Sequence, residues 1–163
     1  MTSRIIRLTV GQLSLTFGMF WLVMSLTVAV DRHVFAGAAV AGGGLVLLLW
    51  RRIRLPVRPV VTGSVVFGVA GTVVGLVVRT VSTGGMFGWS ESRGWPFGWL
   101  SRGGLADTPD GAHRRAMAGG WGTDLARLAA DVTVWAYAGL VLICLLGLVV
   151  RAQKAHRTPE RAE

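Results

Sequence analysis

The chain has 163 residues, of which 52% are hydrophobic and only 15% charged, with a formal net charge of +9. A soluble domain of this size carries about 25% charged residues. Here the apolar residues gather in long blocks rather than amphipathic stripes, which excludes a soluble helical bundle. The one cysteine, Cys144, excludes an internal disulfide and the thiol–disulfide exchangers that need a resolving pair.

Four apolar runs, at about 9–30, 34–50, 60–78 and 128–150, each match the roughly 17–25 residues that cross a bilayer. The first follows Arg4 and Arg7 and carries Gln12 and several hydroxyls, which can bond back to their own helix. It is too long for the roughly 7–15-residue core of a cleaved leader, so it reads as a retained span. Asp31-Arg32-His33 is too short to be more than a turn, so the first two spans form an antiparallel hairpin. The second span is rich in small residues, including Gly42, Gly43 and Gly44. Glycine costs a helix about 1 kcal/mol relative to alanine in water, but in a membrane it lets two backbones approach closely.

Arg51, Arg52, Arg54 and Arg58, with Pro56 and Pro59, make a basic, irregular connection to the third span. There Ser64, Gly68, Gly71 and Gly75 fall four, three and four residues apart. This places small residues on one helical face, suited to packing within the chain or, as the lesser expectation, to a homodimer.

The connection 79–127 exceeds the about 12–15 residues of an ordinary loop, which marks it as functional or disordered. Its aromatics argue against disorder. Met86, Phe87, Trp89, Trp95, Phe97 and Trp99 crowd its first half, around Arg93-Gly94-Trp95-Pro96-Phe97-Gly98-Trp99. This string predicts a compact knob, either an interfacial anchor or a docking surface, with Trp89, Arg93, Trp95, Pro96, Phe97 and Trp99 as the candidate interface. The second half, 103–122, reads as a solvated connector with a helical turn near 112–118, broken at Gly119-Gly120. The last span then starts from a helical extension near residue 123, capped by Thr123 or Asp124. It ends at Arg151, with a charged tail at 151–163.

Charge orients the spans. Arg4, Arg7, Arg51, Arg52, Arg54, Arg58, Arg151, Lys154, Arg157 and Arg161 fall on one side with only Glu160 and Glu163, leaving +8. The opposite side holds Arg32, Arg79, Arg93, Arg102, Arg114, Arg115 and Arg127 against Asp31, Glu91, Asp107, Asp110, Asp124 and Asp131, leaving +1. The positive-inside pattern puts both termini in the cytoplasm and 79–127 outside, in a cytoplasmic (inner) membrane. It also explains the pI of 11.7 without nucleic acid. Sixteen arginines against a single lysine suggest a GC-rich, bacterial genome.

Chemistry-bearing constellations are sparse. No ionisable residue sits at mid-span, where a transport pathway would place one. His33, His113 and His156 show no metal-ligand spacing, and no phosphate-cradling motif follows a strand. No cofactor, metal site or catalytic residue is expected. The sequence therefore predicts an all-α integral membrane protein: one four-helix bundle spanning 1–163 with one ordered outer loop. Its expected role is that of a non-catalytic accessory or scaffold subunit, with the lipid bilayer and a membrane protein or second copy as partners. The alternatives are a small-molecule or lipid transport component, with a path between spans two and three, and an outer-face enzyme using His33, His113 and nearby aspartates.

Overall fold

The computed structural model describes residues 2–28, 31–53, 55–85 and 87–157. Val30, Arg54, Met86 and the tail residues 158–163, with Glu160, Arg161 and Glu163, lie outside the described residues. The chain is mostly helical, and four helices are long and apolar enough to cross a membrane: Arg4–Thr27, Asp31–Ile53, Val57–Gly75 and Leu125–Gln153. It divides into two compact units, Met1–Gly68 with Val134–Glu163, and Val69–Thr133.

In the first unit, α1 (Thr2–Val28) and α2 (Asp31–Ile53) pack antiparallel along small residues. Gly44 lies against Gly11 and Leu15, Ala41 against Gly18, and Gly37 against Leu22, so residue numbers rise on one helix as they fall on the other. A Cβ on Gly44 would stand 2.5 Å from the Leu15 nitrogen, closer than any real side chain tolerates. The approach exists because both faces lack bulk. Asp31, Arg32 and His33 form the first turn of α2 rather than a separate turn, and the negative charge of Asp31 suits a helix N-terminus.

α3 (Val57–Gly75) contributes its residues up to Gly68 to this unit, and α5 (Leu125–Arg157) its residues from Val134. Ile53, Val60, Leu140 and Cys144 form the buried cluster. Glycines again receive neighbouring bulk: Gly63 meets Ile143, Gly139 meets Phe67, and Gly147 meets Leu55. Two polar contacts fix the register of α5. The Ser14 and Tyr137 hydroxyls hydrogen-bond at 2.6 Å, and Arg151 donates to the Ile53 carbonyl at 2.5 Å, satisfying an otherwise open acceptor at the end of α2.

The second unit corrects the all-α expectation. α3 stops at Gly75, three residues before its apolar run does, and the chain turns through Leu76–Val78 into a strand. β1 (Arg79–Gly84), β2 (Gly88–Arg93), β3 (Leu100–Leu105) and β4 (Gly122–Thr123) make one antiparallel sheet in that order. The physical reason lies in Thr80-Val81-Ser82-Thr83, a stretch of β-branched and small polar residues that fits a pleated surface and ends at a glycine pair. Gly85, at φ +62°, makes the hairpin tip between β1 and β2.

α4 (Pro109–Ala118) joins β3 to β4; it contains the helical turn expected near 112–118, ends before Gly119, and packs where a solvated connector was expected. Thr108 caps it, its Oγ1 accepting from the Gly111 N–H at 3.1 Å. Ala112 and Ala116 have no exposed surface. A Cβ at Gly104 would stand 2.5 Å from the Ala112 carbonyl oxygen and 2.6 Å from the Ala116 nitrogen, so helix backbone sits directly on β3.

Candidate functional site: an arginine cluster and an open strand edge

Register decides which side chains share a face, because directly opposite residues point the same way. Arg79, Arg93 and Leu100 stand in one row, Val81, Glu91 and Arg102 in the next, and Thr83, Trp89 and Gly104 in the third. α4 covers the third row, where the Trp89 ring meets His113 edge-on at 4.7 Å. The first two rows carry charge. The opposite face holds Ser82, Gly88, Ser90 and Gly103, which line a shallow open depression of about 540 Å³ without a titratable group.

Glu91 is the centre of the charged face, and its side chain has no exposed surface. Arg102, directly opposite, places Nε and Nη2 at 2.9 and 2.6 Å from Oε2. Arg79 brings its Nε to 2.6 Å from Oε1, while the Arg93 Nε stays at 3.6 Å and makes no hydrogen bond. Burial pushes the Glu91 carboxyl pKa up, but the hydrogen bonds from Arg102 and the positive charges of Arg102, Arg79 and Arg93 outweigh it. The result lies below the usual carboxylate value. Trp121 completes the cluster, with the Arg102 and Arg93 guanidinium carbons 4.5 and 5.2 Å from its ring centroid.

The aromatic string lies between β2 and β3. Gly94, at φ +123°, turns the chain out of β2, and a Cβ there would clash with the Phe97 carbonyl oxygen. Pro96, after a cis peptide bond, is fully buried, and Trp89, Trp95, Phe97 and Trp99 are each half-buried. Backbone contacts hold the string. The Phe97 N–H donates to Asp131 Oδ1 at 2.8 Å, the Asp124 N–H donates to the Trp99 carbonyl at 2.8 Å, and Arg127 reaches the Gly98 carbonyl at 3.2 Å. Gly75 of the small-residue stripe abuts the Trp95 backbone, with room for no Cβ. Ser64, Gly68, Gly71 and Gly75 are all buried, and Ser64 bonds back to the Val60 carbonyl at 2.8 Å.

Three features were not singled out from sequence. Asp131 is fully buried, and its Oδ2 has no hydrogen-bond partner. Glu91 organises three arginines, a role invisible without strand register. The third is the edge of β1. A bond from the Gly94 N–H to the Val78 carbonyl sets the phase of the ladder, so Thr80, Ser82 and Gly84 bond to β2. Arg79, Val81 and Thr83 then turn their backbone groups away from the sheet. All six residues of β1 are exposed.

His33 packs near Trp21 in the first unit and His113 on Trp89 in the second. Among the described residues, no group of three or more metal-ligating side chains gathers. Comparison with known proteins gives no match to a family model, to a curated protein or to a solved structure.

Proposed function

We propose that this protein is a non-catalytic accessory or scaffold subunit of a bacterial cytoplasmic membrane. Its apolar helices hold the sheet unit on the outer side, where that unit docks a partner protein. Four apolar helices and the charge asymmetry of their flanks support the placement, with both termini cytoplasmic.

The observation that carries the docking reading is the undefended edge of β1. Exposed edges are templates for another strand, and proteins blunt them with proline, lysine, bulges or a covering segment. Apart from the charge of Arg79 at its first position, β1 has none of these among the described residues. Its sequence, RTVSTG, pairs with β2 without a skipped position, and all of it is exposed. The occupant this edge fits is an extended segment of another protein, adding a strand through the backbone groups of Val81 and Thr83. Exposed Arg79 at one end of the edge favours an acidic residue on that segment.

A photocrosslinking residue at Thr83 tests this in native membranes. A discrete adduct with a second protein is the expected outcome. Val81→Pro removes an outward N–H without breaking a bond to β2, so it should abolish the adduct and leave the fold intact. A chain recovered only alone, or an adduct indifferent to Val81→Pro, would count against the reading.

A further inference from the structure

We infer that Arg79, Arg93 and Arg102 form a binding site for a phosphate group, with Trp121 holding two of the guanidiniums in place. The charge balance is the first argument. Three guanidiniums surround one carboxylate, so the cluster carries a net +2 at neutral pH. A structural ion pair needs fewer cations. Arg102 alone already gives Glu91 two hydrogen bonds, and Arg79 adds a third close contact.

Arg93 is the residue a purely structural role does not explain. It stands directly across from Arg79 in the β1–β2 register, and like charges in that position repel. Its Nε is 3.6 Å from Glu91 and has no hydrogen-bond acceptor. An arginine that shares a single carboxylate with two others is stabilised when a further anion reaches its exposed end.

Geometry names the anion. Arg93 and Arg102 present guanidinium carbons to the Trp121 ring, at 5.2 and 4.5 Å. Trp121 thus flanks both guanidiniums, while Arg102 keeps its Nε and one Nη on Glu91. The Arg79 and Arg93 side chains are 51% and 43% exposed, so an anion reaches them from solvent at their outer ends, the Arg93 Nε itself being buried. Planar N–H forks around a concentrated positive charge match the tetrahedral oxygens of phosphate. The group could be carried by a lipid headgroup or by a free phosphate.

Binding to the purified full-length protein tests the assignment. Inorganic phosphate is titrated in neutral detergent by calorimetry, and phosphatidylglycerol is compared with phosphatidylcholine by native mass spectrometry. Saturable binding of inorganic phosphate identifies a free phosphate ligand. Preference for phosphatidylglycerol that inorganic phosphate does not compete away identifies a headgroup. In either case Arg93→Gln should weaken binding at least about tenfold, the loss of one charge-assisted contact, while Arg114→Gln on α4 leaves it unchanged. Arg93→Lys keeps the charge and the stem but loses the fork, and should give a smaller loss; it decides the matter if Arg93→Gln does not fold. Absence of saturable binding, wild-type affinity in the folded Arg93 variants, or equal losses in Arg93→Gln and Arg114→Gln would overturn the site.

Discussion

The three consecutive glycines of α2 meet three different neighbours, and alanine scanning should separate them. A Cβ on Gly42 would meet only a Val141 methyl, at 3.2 Å, which a small side-chain movement relieves. On Gly43 it would enter the Tyr137 ring, with Cγ at 2.7 Å, and that ring is pinned by the hydroxyl bond to Ser14. On Gly44 it would stand 2.5 Å from the Leu15 nitrogen and 2.8 Å from the Gly11 carbonyl oxygen, both backbone atoms of α1. Ordinary contact begins at 3.4 Å, so the two helices must part by about 0.9 Å along that line. Overpacking of this kind costs about 1–3 kcal/mol, and the intrinsic gain of alanine over glycine in a helix offsets up to about 1 kcal/mol of it. Gly44→Ala is therefore expected to lose about 1–2 kcal/mol net, Gly43→Ala a similar amount, and Gly42→Ala to be neutral or slightly stabilising. Equilibrium unfolding in mixed micelles, followed by far-UV circular dichroism, measures the order. A Gly44→Ala protein as stable as Gly42→Ala would refute the close α1–α2 approach.

Two further predictions concern the buried acids of the second unit. Because the folded-state pKa of Glu91 is depressed, the stability it lends is present above the unfolded carboxylate value, about 4.3. It is lost as pH falls through the lower folded value. Glu91→Gln should thus destabilise the sheet at neutral pH and remove part of its acid transition; an unchanged acid transition by circular dichroism would contradict the cluster. Asp131→Ala removes the carboxylate that accepts from the part-buried Phe97 N–H, which costs about 1–3 kcal/mol. Asp131→Asn retains an acceptor and should cost less. Amide exchange at Phe97 distinguishes them, and equal protection in both variants would sink the argument.

The helices were legible because each rests on a run of apolar residues, a signal that needs no tertiary context. Their small-residue faces were legible in part. Spacing marked Ser64, Gly68, Gly71 and Gly75, and all four are buried, but spacing does not name what covers them. Gly11, Gly18 and Ser25, seven residues apart on α1, carry the same signal and went unread beside the glycine-rich second span. The sheet was missed for a different reason. Its strands are only six residues or shorter and interrupted by glycine, and β1 is exposed throughout, so it lacks the alternation that usually reveals a strand. Glu91 counted as one more solvated charge on the basis of composition. Only the pairing of β2 with β1 and β3 brings Arg79 and Arg102 to it.

The aromatic string shows how prominence in a sequence differs from structural responsibility. Trp95, Phe97 and Trp99 dominate the 79–127 segment by composition, yet the contacts that place them are made by backbone and by inconspicuous residues. Gly75 gives the Trp95 backbone room, Gly94 supplies the left-handed turn, Asp131 takes the Phe97 N–H, and Asp124 and Arg127 bond to the carbonyls of Trp99 and Gly98. Among these contacts only that at Gly94 also involves a ring, the Trp99 indole. Each of the three aromatic residues is partly buried and partly exposed. Loss of Gly94 or Asp131 therefore moves the string itself, because each supports its backbone directly.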